Sequence, residues 1–161
     1  MIFIIDTCSI RELLAHFNRS IPVMQRMWDK LEQWILAGDV IFVKESLNEL
    51  ENQLSKNSDQ MAWINKHRGY FLSPSNSECE VVKKIYENRN FQNNVSKKNI
   101  LNGRPVADAF IVAKAKITGE EAIVVSREKF SENAAKIPNL CISFGVKYMD
   151  DIEFQTLLFE E

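Results

Sequence analysis

The sequence has few residues that could cross-link the chain or bind a soft metal. Its three cysteines, Cys8, Cys79 and Cys141, lie far apart and include no CxxC pair. Its two histidines, His16 and His67, form no cluster with them at the spacing of metal ligands. The odd number of scattered cysteines argues against a disulfide framework, and the missing ligand spacing argues against a structural zinc site.

Long hydrophobic runs are missing as well. The apolar run at the start, Ile2–Ile5, is too short for a secretory signal and has no basic leader before it. No stretch approaches the ~18–20 apolar residues that a membrane-spanning helix needs. We therefore expect a cytoplasmic protein with no membrane partner.

The sequence also lacks an excess of charge of one sign. It has 20 basic and 22 acidic residues, a formal net charge of −2. This balance excludes a histone-like binder that relies on a large positive field, and a hydrophobic content of 45% excludes an acidic disordered tail. A length of 161 residues predicts one domain over residues 1–161, large enough to bury a hydrophobic core.

Short apolar runs alternate with helical patterns. Runs at Ile2–Ile5, Val40–Val43 and residues 122–125, with a weaker one at 140–144, are typical of strands buried on both faces. Apolar residues at helical spacing lie between them, and residues 91–104 read as a long loop. Strands separated by helices predict an α/β fold: a three-layer α/β/α sandwich with a mainly parallel sheet of about four to five strands.

Acidic residues follow three of the predicted strands. Asp6 comes directly after the first strand, Glu45 and Glu49 follow the second, and Glu128 follows the run at 122–125; Asp108 lies in the first turn of the helix predicted over residues 106–117. The carboxyl ends of parallel strands meet at one edge of a sheet, where open α/β folds form their sites. The sequence therefore predicts several carboxylates at that edge.

Each of these acids also has a structural explanation. Acidic side chains favour the first turn of a helix, and Asp6 with Thr7 can cap the first helix. A cluster is harder to explain this way, because two charges about 4 Å apart repel by about 4 kcal/mol at an effective dielectric constant of 20. Carboxylates alone suit Mg²⁺ or Mn²⁺ better than zinc, and such ions support phosphodiester hydrolysis.

Four segments resemble, in order and spacing, the motif blocks of the PIN-domain ribonucleases: IIDTCSI, VIFVKESLNELEN, VADAFIVAKA and AIVVSREKF. The final segment, KIPNLCISFGVKYMDDIEF, is similar to an uncharacterised bacterial PIN-like group related to VapC-type toxins. The resemblance implies a PIN-like fold and a metal-dependent ribonuclease. It also implies RNA as the substrate, an antitoxin protein as a partner, and a homodimer.

The resemblance assigns catalytic and metal-binding roles to four acids. Asp6, Glu49 and Asp108 match the three acidic ligands of Mg²⁺ or Mn²⁺, and Glu128 stands where the family usually has a fourth Asp. Glu45 competes with Glu49 for the second position. We prefer Glu49, because Glu49-Leu50 matches the family pattern and Glu45 suits the helix N-terminus.

Other residues are assigned around these acids. Thr7 and Ser126 either support the carboxylates and a metal-bound water by hydrogen bonds or satisfy nearby backbone groups. Cys8 is read as a small buried hydrophobe, and His67 as a surface residue. Arg104 and Arg127 are the leading candidates for contacts with the substrate, because they flank motif positions.

Two rival functions are open to a chain with this pattern. One is a catalytically silent PIN-like module that binds RNA or protein, in which the acids are only helix caps. The other is a phosphatase of the haloacid-dehalogenase type, which needs a second Asp two residues after the first. That position is Cys8, so the phosphatase is disfavoured.

Overall fold

Five parallel strands of the described residues form one central sheet. The computed structural model describes residues 1–93 and 106–161. Within them the strands lie in the spatial order β3-β2-β1-β4-β5, and each neighbouring pair is parallel. In chain order they are β1 (Ile2–Ile5), β2 (Val40–Val43), β3 (Phe71–Leu72), β4 (Ala122–Ser126) and β5 (Lys147–Asp150).

Helices cover both faces of this sheet, which confirms the three-layer α/β/α sandwich. The described helices are α1 (Thr7–His16), α2 (Pro22–Ala37), α3 (Lys44–Gln53), α4 (Asp59–Lys66), α5 (Asn76–Glu87), α6 (Arg89–Gln92), α7 (Ala107–Thr118), α8 (Ile137–Phe144) and α9 (Asp151–Phe159). Residues of β1 alternate between the two cores: Phe3 and Ile5 pack with α1 to α4 and α9, and Ile4 packs with α5 to α8. None of the helices in the described ranges is both long enough and apolar enough to traverse a bilayer.

The predicted strands at Ile2–Ile5, Val40–Val43 and residues 122–125 are confirmed, and the one at 140–144 is wrong. That run lies in α8, which has Pro138 in its first turn and ends at Gly145 in the left-handed conformation, with φ of 67°. A short apolar run does not by itself distinguish a buried strand from a buried helix. The two edge strands escaped prediction because β3 has only two residues and β5, with the sequence KYMD, is largely polar and exposed.

The predicted loop at 91–104 is only partly comparable with the structure. Residues 94–105 lie outside the described residues. Before them, Phe91 is buried and belongs to α6, so the chain is still helical where the loop was expected to begin. The predicted helix at 106–117 corresponds to α7, which ends at Gly119.

The strand order determines where a site can form. From β1 the chain moves outward through β2 to β3, and it then crosses to the other side of β1 to form β4 and β5. The strand order therefore reverses between β1 and β4, and open α/β sheets bind ligands beyond the carboxyl ends of the strands at such a point. Asp6 directly follows β1 at this point, and Ser126 is the last residue of β4.

His67 is a buried residue, so its assignment to the surface is wrong. Its side chain stacks on Trp63, with ring centroids 4.1 Å apart. Nδ1 lies 2.8 Å from the carbonyl oxygen of Trp63, and Nε2 lies 2.6 Å from Oε2 of Glu32 in α2. The polar sequence around His67 hides this tertiary role, because Glu32 is 35 positions away along the chain.

Candidate active site

Asp6 is the most buried acid of the predicted set. It is 3% exposed and is the N-cap of α1, where Oδ1 accepts a 2.7 Å hydrogen bond from the backbone N–H of Ser9. Oδ2 accepts a 2.8 Å hydrogen bond from Oγ of Ser126. Burial is the main influence on its pKa and raises it above the ordinary value; the charge of Glu128 adds to this, while Ser9 and Ser126 oppose it.

Two buried hydroxyls follow Asp6 along the chain. Oγ1 of Thr7 and Oγ of Ser9 have no hydrogen-bond partner of good geometry within the described ranges. Each hydroxyl nevertheless lies close to a carboxylate. The side chain of Thr7 lowers the pKa of Glu49, and the side chain of Ser9 lowers the pKa of Asp6. A polar atom buried without a partner is costly, so these hydroxyls are available to a ligand or water at this position.

Glu49 lies near Asp6 although the two residues are on different helices. Its Oε1 accepts a 2.7 Å hydrogen bond from the backbone N–H of Ala107, the first residue of α7. Burial is the largest influence on the pKa of Glu49 and raises it, and the negative charge of Asp6 raises it further. This carboxylate thus joins α3 to the N-terminus of α7.

Ser126 and Glu128 connect the end of β4 to the same site. Oγ of Ser126 donates to Asp6 and accepts a 3.1 Å hydrogen bond from the backbone N–H of Glu128. Oε2 of Glu128 accepts a 2.8 Å hydrogen bond from the backbone N–H of Ile137, the first residue of α8. Ser126 therefore bonds both a carboxylate and the backbone, which combines the two roles that the sequence left open for it.

Three helix N-termini converge on three of the acids. Asp6 bonds α1, Glu49 bonds α7 and Glu128 bonds α8. The positive end of a helix dipole and its unpaired N–H groups stabilise a carboxylate. The site can therefore hold several negative charges while no Lys, Arg or His side chain of the described residues pairs with Asp6 or Glu49.

Asp108 lies in the first turn of α7 and faces α1 and α5. Its charge contributes to raising the pKa of Cys8 and of Tyr86, in both cases behind burial, which is the largest cause. The pKa of Tyr86 rises to about 12. Asp108 thus lies close enough to Cys8, two residues after Asp6, to act on it electrostatically.

Cys8 lies among the acids and is not a buried hydrophobe, which corrects the sequence-based assignment. The residue is exposed, although its sulfur is partly shielded from solvent. This shielding is the largest cause that raises the pKa of the thiol to about 11, followed by the charge of Asp6, with smaller contributions from Asp108 and Glu128. The thiol is therefore protonated at neutral pH and is a poor nucleophile.

Glu45, the alternative to Glu49, belongs to a different polar cluster. It is buried, and its charge interacts with Glu78 of α5 and Lys114 of α7. Nζ of Lys114 lies 2.7 Å from Oε1 of Glu78, and both side chains are largely buried. Although Glu45 and Glu49 are one helical turn apart, the structure places Glu49, and not Glu45, beside Asp6.

Of the two arginines predicted to bind the substrate, Arg127 belongs to the described residues. Arg104 lies outside the described residues. Arg127 is half exposed, and its guanidinium forms ion pairs with Glu12 of α1 and, at 3.2 Å, with Asp151 of α9. The charge of Arg127 is thus already shared between two carboxylates.

Sequence reasoning missed Arg11, an exposed residue of α1 whose positive charge lowers the pKa values of Glu49 and Cys8. Its Nη1 donates a 2.7 Å hydrogen bond to Oε1 of Gln53 at the end of α3. The spacing within the first motif carries a signal that would have identified it. Residues i+3 and i+4 share a helix face, which puts Arg11 on the face of Cys8 and Thr7.

The donor set suits a hard cation that keeps part of its hydration shell. Within residues 1–93 and 106–161, no three His, Cys, Asp or Glu side chains are grouped so that they could hold a metal ion by themselves. Mg²⁺ is usually bound by one or two carboxylates, with waters and substrate phosphates completing its shell. Asp6, beside Glu49 and Glu128 and flanked by unpaired hydroxyls, fits that requirement in chemistry and in ligand number.

One known protein family matches almost the whole chain. The family described as a domain of unknown function, DUF4411, matches residues 3–157. The chain belongs to this family. The matched region of this DUF4411 protein includes Asp6, Glu49, Asp108 and Glu128, together with every strand except the first residue of β1. No match to a curated protein or to a solved structure was found.

Proposed function

We propose that this DUF4411 protein is a metal-dependent ribonuclease. The observation that carries the proposal is the carboxylate of Asp6, at the point where the strand order reverses, with the carboxylate of Glu49 beside it. Burial is the largest cause that raises the pKa of each carboxylate above its ordinary value, and a neighbouring negative charge adds to it in each case. No cationic side chain in the described part of the chain pairs with either. A cation would relieve this repulsion.

In this proposal the carboxylates of Asp6 and Glu49 bind Mg²⁺ or Mn²⁺ directly, and Asp108 and Glu128 contact the ion through waters of its hydration shell. Such an ion, when bound, supplies an activated water and stabilises the leaving oxygen of a phosphodiester. The chain itself orients the ligands. Ser126 and the N–H of Ser9 fix the two oxygens of Asp6, and backbone N–H groups of Ala107 and Ile137 fix one oxygen of Glu49 and of Glu128.

The biological setting that we propose is a type II toxin–antitoxin pair in the bacterial cytoplasm. It rests on the resemblance of the four motif segments to PIN-domain ribonucleases and VapC-type toxins. On this basis RNA is the substrate, an antitoxin protein masks the site, and the toxin forms a homodimer. Light scattering coupled to size exclusion measures the oligomeric state directly.

Cleavage of a single-stranded RNA of mixed sequence, labelled at both ends, tests the ribonuclease. We expect cleavage with Mn²⁺ or Mg²⁺, none with a chelator, and a loss of at least about 100-fold for Asp6→Asn, since a metal ligand is removed. Asp29→Asn makes the same chemical change at an exposed position of α2 and should cleave as the wild type does. Cleavage that survives chelation, or that Asp6→Asn leaves intact, would overturn the proposal.

A catalytically silent binding module is the second candidate, and one observation favours it. Asp6, Glu49 and Glu128 each bond the N-terminus of a helix, so each has a structural role without a metal. This alternative predicts RNA or protein binding with no metal-dependent cleavage. It also predicts that the affinity for RNA is the same with Mn²⁺ and with chelator, whereas the nuclease should bind RNA more tightly when the ion is present.

A further inference from the structure

The proposed function leaves open which side chain binds the phosphate groups of the RNA. An acidic site repels a phosphodiester, so a cation near the carboxylates has to position it. Two arginines of the described residues reach this part of the molecule, Arg11 from α1 and Arg127 from the segment after β4. Their surroundings differ in charge.

Arg127 is engaged by acids. Its guanidinium bonds Glu12 and lies 3.2 Å, Nε to Oδ2, from Asp151. These contacts join α1, the end of β4 and α9. A phosphate would have to displace a carboxylate to bind there, so we assign Arg127 the structural task of holding these three elements together.

Arg11 has a neutral partner instead. Its Nη1 donates to the amide oxygen of Gln53, and no carboxylate in the described ranges lies within 4 Å of its guanidinium nitrogens. The side chain is exposed, and its charge acts on Glu49 and Cys8. Gln53 thus anchors one nitrogen and leaves the other N–H donors of the guanidinium toward solvent at the rim of the acids.

We propose that Arg11 binds a phosphate of the RNA backbone beside the acidic site. This inference rests on the proposed ribonuclease function, and it names the residue that positions the substrate. A guanidinium matches the geometry of a phosphate with paired N–H donors, and its hydrogen bonds to an anion are stronger than those between neutral groups. The contact is to the backbone, so it is independent of base sequence.

The experiment compares Arg11→Ala, Arg11→Lys and Gln53→Ala by cleavage and by binding of the same labelled RNA. In Mn²⁺ we expect Arg11→Ala to raise KM about tenfold and to change kcat less than about twofold. For binding, measured in chelator from about 50 to about 300 mM KCl, the slope of log affinity against log salt should fall in magnitude by about 0.7, the value for one lost phosphate contact on a single strand.

Two variants separate the charge from the packing of Arg11. Arg11→Lys keeps a cation and should restore the salt slope, and Gln53→Ala removes the hydrogen bond but keeps the charge, so its slope should equal that of the wild type. Arg26→Ala removes an exposed charge of α2 beside the C-terminal residues and should leave KM and slope unchanged.

The outcomes distinguish this inference from the proposed function. If RNA cleavage depends on Asp6 but the salt slope of Arg11→Ala equals that of the wild type, the phosphate-binding role of Arg11 is rejected and the ribonuclease function is retained. If the salt slope of RNA binding falls by one phosphate contact in Arg11→Ala but no metal-dependent cleavage occurs, the phosphate-binding role of Arg11 is supported and the ribonuclease function is rejected. A folded wild-type protein that neither binds nor cleaves the RNA would overturn both.

Discussion

At the scale of single residues, Asp6 combines a structural task with an electrostatic conflict. Its side chain caps α1 and bonds Ser126, two interactions that stabilise the fold. Burial opposes its ionisation, and the charge of Glu128 opposes it further, so the pKa lies above its ordinary value. A carboxylate retained under these conditions is typical of a functional site, where charge is kept although it reduces stability.

The conflict predicts that Asp6→Asn stabilises the metal-free protein. Asn is as good an N-cap as Asp and carries no charge. Because the pKa of Asp6 is raised on folding, its ionisation costs stability as the pH rises above its ordinary value, and nothing is lost below that. In chelator we expect Asp6→Asn to raise the unfolding free energy near pH 7, where Asp6 is driven to ionise, and to raise it less near pH 4.

Urea denaturation at the two pH values measures this difference. Asp29→Asn, at an exposed position of α2, serves as the control and should change the unfolding free energy by less than about 0.5 kcal/mol at either pH. Loss of stability in Asp6→Asn at neutral pH would show that its charged hydrogen bonds outweigh its burial.

Residue-level prediction from the sequence succeeded where chain neighbours determine the environment. Asp6 follows a buried strand directly, so its position at the edge of the sheet could be read from the order of residues. Cys8 and His67 were misjudged because their surroundings come from distant segments: Asp108 lies near Cys8, and Glu32 bonds His67. The partner of Arg11, Gln53, is 42 positions away, which no local pattern indicates.

At the scale of elements, a buried ion pair joins α5 to α7. Lys114 and Glu78 lie 2.7 Å apart, Nζ to Oε1, and their side chains are 12% and 5% exposed. The same glutamate closes the capping box of α5 with Ser75. Because α7 carries Asp108 at one end and bonds Glu49 through Ala107, this pair also helps to hold the acidic site in place.

We therefore expect Lys114→Met to destabilise the protein by about 3–5 kcal/mol, since it leaves the carboxylate of Glu78 buried without its partner. Lys116→Met makes the same change two residues later, at an exposed position, and should cost less than about 0.5 kcal/mol. Thermal or urea unfolding of the wild type and both variants measures these changes in unfolding free energy. Equal effects of the two substitutions would contradict the assigned role of the pair.

Strands and helices were predictable from the sequence where the hydrophobic pattern and the length of a run indicated the same element. Ile2–Ile5 and Val40–Val43 are short, rich in β-branched residues and mostly buried, which is typical of a central parallel strand. The run at 140–144 is also short and mostly apolar, yet Pro138 and Gly145 mark it as a helix once its full length is considered. The edge strand β5 is set by its backbone pairing with β4 rather than by its own side chains.

At the scale of the whole molecule, the strand order concentrates charge that the composition hides. A net charge of −2 predicts a weak overall field. The sheet nevertheless brings Asp6, Glu49 and Glu128, which lie 43 and 79 positions apart along the chain, to the same edge. If the proposed metal site is correct, the affinity for a divalent cation is a property of the fold and should disappear when the chain unfolds.

Because a cation that binds only the folded state stabilises it, the proposed metal site can be tested by protein unfolding, without a measurement of RNA cleavage. A ligand that binds only the folded state at 100 times its dissociation constant adds about 2.7 kcal/mol of stability. We expect the Tm of the wild type to rise with Mn²⁺ or Mg²⁺ concentration. Asp6→Asn should lose most of this rise, because the central ligand has lost its charge, and Asp29→Asn should keep it. An equal rise in all three proteins would mean that the cations bind elsewhere, and no rise in the wild type would remove the basis for a metal site at this edge.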